Sequence, residues 1–275
     1  MHAYVINLAR SPDRRAYITG ELKKTGLDYE IVTGVDGRDL DLSDPALIDP
    51  SLTTRIGLPP GAVGGVPAGT AGAALSHLNV YRQIIAHGLD KALVLEDDVV
   101  LPADIGSLAD AVAHQLTGAE VALLSYESPE PCRLSAEGAI QLPSSRLLAL
   151  PIDIRQPLSA GAYVITREAC ERMIKCRLPI QVQADGWWFF YREGILDRVR
   201  CVAPLVVFKN PKFMSTIGSY SMRSGLKARL VEPLMRRKIP LLHQVLSYRR
   251  QRIFLRWNRS ELAEMPFIEK PSRLE

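Results

Sequence analysis

The sequence predicts an α/β fold whose central sheet is mostly parallel and flanked by helices. Residues 2–8 are β-rich, Ser11-Pro12-Asp13 is a helix start signal, and residues 29–33 form a second short strand. Strand, helix and strand thus follow one another in a βαβ unit, which pairs its two strands in parallel. The apolar run at residues 91–95 predicts a central strand that is buried on both faces.

The remaining elements follow from apolar periodicity and from glycine and proline punctuation. Further helices are expected at 12–25, 70–87, 104–116 and 167–176, and further strands at 121–124 and 162–165. Residues 43–69 form a long irregular segment, which in compact domains is usually functional. Residues 127–159 are punctuated by prolines and give no clear pattern.

Charge divides the 275-residue chain into two parts. Residues 222–259 carry eleven Lys and Arg against one acid, Glu232, whereas residues 1–221 are mildly acidic. We therefore predict a domain at 1–221 and a basic amphipathic, helical C-terminal extension at 222–275, whose segment 222–259 lies on an anionic membrane surface. A solvated helix face is the alternative, and no nucleic-acid partner is expected because the stretch shows no recognised module of that kind.

Two features that the sequence lacks bear on where the protein is located. The start of the chain shows no secretory signal pattern, and no run of about 18 apolar residues occurs. The four cysteines, at 132, 170, 176 and 201, form no CxxC pair, so we expect reduced thiols, not a metal cage or a disulfide framework. A cytoplasmic location, with peripheral contact to the membrane, is the expectation.

Three consecutive acids, Glu96-Asp97-Asp98, follow the predicted buried strand directly. Backbone alternation would send Glu96 and Asp98 to one side and Asp97 to the other. Ligands of open α/β sheets bind at the carboxyl ends of parallel strands, and carboxylates there need a neutralising partner. A hard divalent cation, Mn²⁺ or Mg²⁺, held by Glu96 and Asp98 could also hold a ligand diphosphate. Solvated acids at a strand end are the alternative.

Other side chains are candidates for the same edge. Asn7, Arg10 and Arg14 follow the first strand, where arginines can clamp phosphates. His77 lies in an apolar helix, as a core residue or as a site residue. Asp185 precedes Trp187 and Trp188; indole faces stack on sugar rings, and a nearby carboxylate can act as a general base, although both indoles could instead fill the core.

These residues form an ordered set that resembles glycosyltransferase family 25, the lipooligosaccharide-type galactosyltransferases. The matching blocks are Val5-Ile6-Asn7-Leu8, Arg10-Ser11-Pro12-Asp13-Arg14-Arg15, Gly34-Val35-Asp36-Gly37, Gly72-Ala73-Ala74-Leu75-Ser76-His77, Ala92-Leu93-Val94-Leu95-Glu96-Asp97-Asp98-Val99 and Gly161-Ala162-Tyr163-Val164-Ile165-Thr166. The family has cysteine in the fourth block, where Ala73-Ala74 stand, and commonly a late glutamine, where Lys209-Asn210 stand.

The resemblance implies a GT-A type, nucleotide-diphospho-sugar transferase fold in which Glu96-Asp97-Asp98 is a variant of the Asp-x-Asp motif. It implies that Asp98 is the firmest metal ligand and that Glu96 reaches the ribose or a metal-bound water. The donor-binding residues it implies are Asn7, Leu8, Arg10, Arg14, Asp36, His77, Glu96 and Asp97. Asp185 would be the general base and Trp187 and Trp188 would bind the acceptor.

The implied reaction is the inverting transfer of a hexose, galactose from UDP-galactose, to a lipooligosaccharide or another surface glycan. Two alternatives remain open at this point. The chain could be a catalytically silent nucleotide- or glycan-binding module of the same fold, or a metal-dependent nucleotidyltransferase, which also needs paired carboxylates.

Overall fold

The computed structural model describes residues 1–52, 68–128, 130–176, 178–213 and 258–266. Most of the irregular segment at 43–69 and nearly all of the basic segment at 222–259 therefore lie outside the described residues. The membrane prediction, which depends on the basic segment, stays a prediction. Within the described residues, no helix has the length and apolar character needed to cross a membrane.

Twelve strands and five α-helices make up the described part of the chain. The strands are β1 (His2–Asn7), β2 (Asp28–Thr33), β3 (Lys91–Glu96), β4 (Val99–Val100), β5 (Glu120–Leu123), β6 (Cys132–Ser135), β7 (Ile140–Leu142), β8 (Arg146–Ala149), β9 (Ala162–Thr166), β10 (Arg198–Ala203), β11 (Phe208–Lys209) and β12 (Ser260–Ala263). The helices are α1 (Pro12–Lys23), α2 (Ala68–Ala86), α3 (Ile105–Gln115), α4 (Arg167–Cys176) and α5 (Trp187–Arg192).

The central sheet has eight strands in the order β2-β1-β3-β9-β5-β10-β8-β7. β1 pairs in parallel with β2 and with β3, and β5 pairs in parallel with β10. β9 lies antiparallel between β3 and β5, and β8 is antiparallel to β10 and to β7. Six strands therefore share one direction and two oppose it, which confirms the predicted α/β fold with a mostly parallel sheet.

Helices cover both faces of this sheet. Alternation along β1 sends Tyr4 to the face covered by α2, α4 and α5, whereas Val5 points to the face covered by α1 and α3. Along β3, Val94 and Leu95 divide in the same way, and both are completely buried. Burying a side chain of this size stabilises the fold by roughly 1.5–3 kcal/mol. The uninterrupted apolar character of β3 is therefore explained by its position between two helical layers.

Element boundaries fall close to their predicted positions. Helix α1 begins at Pro12 as expected and ends at Lys23, shortly before Gly26, which adopts a φ of +67°. Helix α4 spans the predicted residues 167–176. The unassigned segment 127–159 contains β6, β7 and β8, whose three or four residues each are too short to produce a periodic signal.

Residues 260–263 pair with the domain as a strand. β12 pairs in parallel with β6, with Ser260 opposite Cys132 and Ala263 opposite Ser135. This strand falls inside the predicted helical extension at 222–275, so that prediction needs correction for residues 260–263. A parallel partner supplies the backbone hydrogen bonds of this segment, which a solvated extension would leave to water.

Candidate active site

One edge of the sheet collects the polar residues that the sequence singled out. The carboxyl ends of β1, β3, β5 and β10 lie there, and the first residues of the antiparallel β9 lie there too. The Glu96 amide donates to the Gly161 carbonyl at 2.8 Å, and the Ser125 amide donates to the Ala162 carbonyl at 3.1 Å. The segments after β3 and β5 are thereby held against the start of β9.

Glu96 is the last residue of β3, and Asp97 and Asp98 form the turn between β3 and β4. β4 pairs with β11, with Val99 opposite Lys209, and the Asn210 amide donates to the Asp98 carbonyl at 2.6 Å. The backbone of the turn is therefore fixed on both sides by neighbouring strands. The three carboxylates have different surroundings, which assign them different tasks.

Asp97 is a buried structural anchor. Its Oδ1 accepts from Arg14 Nη1 at 2.7 Å and its Oδ2 accepts from Asn7 Nδ2 at 2.7 Å. Burial raises the pKa of Asp97, although Arg14 and Asn7 act to lower it. In this structure both carboxylate oxygens of Asp97 are engaged by the protein. Donor binding by Asn7, Arg14 and Asp97 stays a prediction, and the contacts observed here join the first strand to the acidic turn.

Glu96 is supported from the core by His77. His77 Nε2 lies 3.7 Å from Glu96 Oε1, and the imidazole is only 1% exposed. On its other side, His77 Nδ1 lies 2.7 Å from the Tyr163 hydroxyl, which contacts the Tyr81 hydroxyl at 3.0 Å. Burial acts to raise the pKa of Glu96, but Lys209 and His77 outweigh it and lower that pKa to about 2. Glu96 is therefore ionised at neutral pH.

Asp98 has an oxygen to which the described residues offer no hydrogen bond. Its Oδ2 lies 3.3 Å from Arg14 Nη1, whereas its Oδ1 is buried without a hydrogen-bond partner. Burial and the nearby negative charge of Glu96 raise the pKa of Asp98 to about 6. An unpaired buried carboxylate oxygen is costly, so this atom points to a ligand that completes the site.

Two further charged residues, Lys209 and Glu127, belong to this cluster. The sequence did not single them out as site residues. Lys209 Nζ lies 3.7 Å from Glu127 Oε1. Burial acts to lower the pKa of Lys209, but the carboxylates of Glu96, Glu127, Asp98 and Asp185 together raise it well above its usual value. Glu127 lies in the segment that gave no pattern, and Lys209 appeared only as a departure from the family motif. Lys209 lies close to the acids because β11 pairs with β4, a strand that is far away in the sequence.

Asp185 lies at the same edge, next to a strained backbone position. Its Oδ2 accepts from the Ser159 amide at 3.0 Å, and Ser159 has a φ of +96°, which non-glycine residues rarely adopt. The Ser159 carbonyl accepts from Trp187 Nε1 at 2.9 Å, and its Oγ accepts from the Gly161 amide at 3.1 Å. Backbone strain of this kind costs on the order of 1–3 kcal/mol and persists where surrounding contacts impose it. Asp185 is one of those contacts.

The prediction that both tryptophans bind the acceptor needs correction for Trp187. Trp187 is completely buried and packs edge-on against Tyr163 and Phe190, so in this structure it cannot stack on an acceptor sugar. Trp188 is partly exposed, and the Arg192 guanidinium lies 4.9 Å from the centre of its ring. Consecutive positions of a helix point about 100° apart, which is why adjacent tryptophans of α5 have opposite surroundings. Acceptor contact by Trp188 stays a prediction.

The loop after β2 carries the remaining predicted donor residues. Asp36 accepts from Arg10 Nε at 2.6 Å and from the amide of Arg38, and the contacts of Arg38 and Arg10 lower its pKa. A Cβ on Gly37 would lie 1.6 Å from the Ala68 carbonyl oxygen, so only glycine permits this approach of the loop to α2. Leu8 is partly exposed beside this loop. Donor binding by Leu8, Arg10 and Asp36 stays a prediction.

Glu96 and Asp98 fit a divalent cation only if a bound ligand supplies further coordinating oxygens. Glu96 and Asp98 offer hard carboxylate oxygens, one of them unsatisfied, which suits Mn²⁺ or Mg²⁺. Within the part of the chain that the structure describes, no three His, Cys, Asp or Glu side chains converge to enclose a metal. Mg²⁺ in proteins is commonly bound by one or two carboxylates plus substrate phosphates and water, so a two-carboxylate site agrees with a metal that arrives with a diphosphate.

Comparison with known proteins gives the class of the chain. Residues 1–188 match the family model described as glycosyltransferase family 25 (LPS biosynthesis protein). Because this match covers more than half of the 275 residues, the chain belongs to glycosyltransferase family 25. The resemblance stated from the motifs is thereby confirmed.

Individual relatives match over a shorter stretch. A glycosyltransferase 25 family member of Aedes aegypti is 36% identical over 99 residues, which are 36% of this chain and 16% of that protein. Procollagen galactosyltransferase 2 of Homo sapiens is 33% identical over 35% of this chain and 15% of its own length. An inactive glycosyltransferase 25 family member 3 of Mus musculus is 34% identical over 35% of this chain and 16% of its own length. The aligned part is thus a small fraction of each relative.

Proposed function

We propose that this protein transfers a hexose, galactose from UDP-galactose, to a hydroxyl group of a lipooligosaccharide or another surface glycan. The observation that carries the proposal is the unpaired, buried Oδ1 of Asp98 beside Glu96, at the sheet edge where α/β folds bind ligands. Family membership supports a glycosyl group as the transferred unit. Galactose as that unit draws on the name of one relative, procollagen galactosyltransferase 2.

Glu96 and Asp98 would hold Mn²⁺, or Mg²⁺ in its place. When bound, such a cation neutralises charge on the departing diphosphate. The protein's own contribution is to hold the two carboxylates in place. His77 and Tyr163 fix Glu96 from the core, and Arg14 together with the Asn210 amide fixes the Asp98 turn. The position of the Asp98 turn is therefore set by the fold.

Asp185 would act as the general base of an inverting transfer. The acceptor hydroxyl oxygen forms a bond to the anomeric carbon, the bond from that carbon to the diphosphate oxygen breaks, and Asp185 takes the hydroxyl proton. UDP leaves with the bonding electron pair. The Ser159 amide donates to Asp185 Oδ2, and the other carboxylate oxygen, Oδ1, would receive the proton. Trp188, partly exposed three residues further along, would contact the acceptor ring.

The remaining parts of the proposal concern location. We place the enzyme in the cytoplasm, with residues 222–259 contacting an anionic membrane surface that carries a glycolipid acceptor. Eleven basic residues against one acid support this contact. Flotation of the full chain with anionic vesicles, but not with zwitterionic vesicles, is the expected result. Equal flotation with both vesicles would remove the membrane contact from the proposal.

Donor turnover and donor binding test the central claim together. Incubation with UDP-galactose, Mn²⁺ and a lipooligosaccharide acceptor should release UDP, and calorimetry should show UDP binding that weakens at least tenfold when EDTA replaces Mn²⁺. UDP-glucose, GDP-mannose and CMP-sialic acid serve as donor controls. Equal UDP affinity with Mn²⁺ and with EDTA would contradict the metal site at Glu96 and Asp98.

A silent module of the same fold is the second candidate, because relatives named inactive align with this chain as closely as an active one does. It would bind UDP without consuming UDP-galactose. Active-site substitution separates the two cases. In an enzyme, Asp185→Asn abolishes UDP release while UDP binding persists, whereas in a silent module the wild-type chain already releases no UDP with any acceptor.

A further inference from the structure

We propose that Lys209 binds the diphosphate of the sugar donor, as a protein-borne cation that acts beside the metal held by Glu96 and Asp98. This inference rests on the proposed function, because it concerns the same donor. It assigns a binding task to a lysine that stands where family members commonly have a different sequence. Three observations carry it: the placement of the Lys209 backbone, the surroundings of its ammonium group, and the charge of the cluster.

The backbone of Lys209 is fixed beside the acidic turn. Lys209 pairs with Val99 in the β11–β4 ladder, and the neighbouring Asn210 donates its amide to the Asp98 carbonyl at 2.6 Å. Strand pairing of this kind leaves little freedom to the main chain, so the position of the side chain follows from the fold. Lys209 is therefore presented to the turn after Glu96 by the β11–β4 ladder, which the Asn210 hydrogen bond extends to Asp98.

The side chain of Lys209 extends past Gly161, close to Ser125. A Cβ built on Gly161 would lie 3.6 Å from Lys209 Cε and 3.5 Å from Ser125 Oγ. Ser125 Oγ is buried and has no hydrogen-bond partner among the residues that the structure describes, as is also true of Asp98 Oδ1. Unsatisfied buried polar atoms need a partner, and both belong to residues at the edge where Lys209 lies. They indicate that a polar ligand belongs next to the ammonium group.

The ammonium group itself retains capacity for a ligand. It carries three donors, its closest ion-pair contact is 3.7 Å from Glu127 Oε1, and the described residues give it no hydrogen bond. The Lys209 side chain is 32% exposed, so a ligand can reach it. Diphosphate oxygens would provide charge-assisted hydrogen bonds, which are stronger than the present contact.

Charge gives the reason why such a cation is required. Four carboxylates act on Lys209: Glu96, Glu127, Asp98 and Asp185. A donor diphosphate is itself an anion, and it would be repelled by this cluster unless cations lie between them. A divalent ion on Glu96 and Asp98 leaves the side of Glu127 and Asp185 negative, and Lys209 is the cation on that side. A purely structural lysine that only neutralises the carboxylates is the competing explanation.

The test compares UDP with UMP, which lacks the second phosphate. In the presence of Mn²⁺, calorimetry should show that Lys209→Met binds UDP about tenfold more weakly or worse, because the variant lacks charge-assisted hydrogen bonds to the diphosphate. UMP binding should change less than threefold. Lys209→Arg should retain most of the UDP affinity, and Lys212→Met, which removes an exposed lysine nearby, should resemble the wild type.

Two further arms separate the explanations. The UDP loss in Lys209→Met should persist in EDTA; a loss that disappears without metal would mean that Lys209 acts through the cation, and would overturn the inference. Unchanged UDP affinity in a folded Lys209→Met or Lys209→Gln would also overturn it, as would failure of both variants to fold. If the wild type binds no nucleoside diphosphate, the proposed function fails first, which is a different result from a binding wild type and an unaffected variant.

Discussion

Arg14 and Asp97 form a buried ion pair, in which Arg14 Nη1 lies 2.7 Å from Asp97 Oδ1 and each side chain is 8% exposed. Asp97 also accepts from Asn7 at the end of β1. A pair of this kind connects α1, β1 and the acidic turn. It therefore determines where Asp98 and Glu96 are presented, even if it never touches the donor.

Breaking this pair should destabilise the protein. Arg14→Met leaves the Asp97 carboxylate buried without its cation, so the free energy of unfolding should fall by about 3 kcal/mol or more. Urea unfolding followed by circular dichroism measures the change. The double variant Arg14→Met/Asp97→Asn removes both charges and should recover a large part of the loss. If the free energy of unfolding of Arg14→Met lies within about 0.5 kcal/mol of the wild-type value, the ion pair contributes little to stability.

The second prediction concerns the positioning of Glu96 by the series of contacts Tyr81–Tyr163–His77–Glu96. Tyr163→Phe keeps the ring but leaves His77 Nδ1 without its 2.7 Å partner. The imidazole is then free to turn away from Glu96, and UDP-galactose turnover should fall about tenfold, with a smaller effect on stability of about 1–2 kcal/mol. Steady-state kinetics and thermal unfolding measure the two quantities.

Tyr81→Phe is the matched control for this chain. It removes a hydroxyl of the same network, but the 2.7 Å contact between Tyr163 and His77 remains. Turnover should therefore fall less than in Tyr163→Phe, at a similar cost in stability. Equal turnover in both variants and in the wild type would exclude a positioning role for His77.

Sequence patterns were sufficient to predict β1, β2 and β3 and to place Glu96 and Asp98 at the carboxyl end of β3, and metal binding by these two acids stays a prediction. Local signals define these parts: a proline at the start of α1, an apolar run in β3, and acids directly after it. Lys209 and Glu127 could not be placed in this way, because β11 has two residues and no period, and its partner β4 lies more than 100 positions earlier. Their position depends on pairing that only the folded chain shows.

The tryptophans illustrate a different limit. Trp187 and Trp188 have the same chemistry and are neighbours in the sequence, so their composition cannot tell which one is buried. The rotation of α5 decides it, and that rotation places Trp187 against Tyr163 in the core. Ser159 is a similar case, since its positive φ is imposed by hydrogen bonds to Asp185, Trp187 and Gly161.

The cysteines allow a prediction that is independent of the proposed function. Cys132, Cys170 and Cys201 are buried and Cys176 is exposed, and all four are free thiols. Burial raises the pKa of Cys170 and of Cys201, so their reactive thiolate forms are scarce at neutral pH. The native protein should expose one fast-reacting thiol to DTNB, and denaturation should release three more. Cys176→Ser should abolish the fast phase; two fast thiols, or fewer than four in total, would contradict this assignment.

Asp98→Asn isolates the role of the unsatisfied carboxylate. The substitution preserves shape but removes negative charge from a buried site crowded with acids, so stability should be unchanged or higher, because burial and the nearby charge of Glu96 disfavour a charged Asp98. Mn²⁺-dependent UDP affinity should nevertheless fall at least tenfold, because an amide is a poorer ligand for a hard cation. Asp39→Asn, on a partly exposed acid outside the cluster, is the matched control. A folded Asp98→Asn variant with wild-type UDP affinity and turnover would exclude Asp98 as a ligand, whereas lower stability would mean that Asp98 serves the fold.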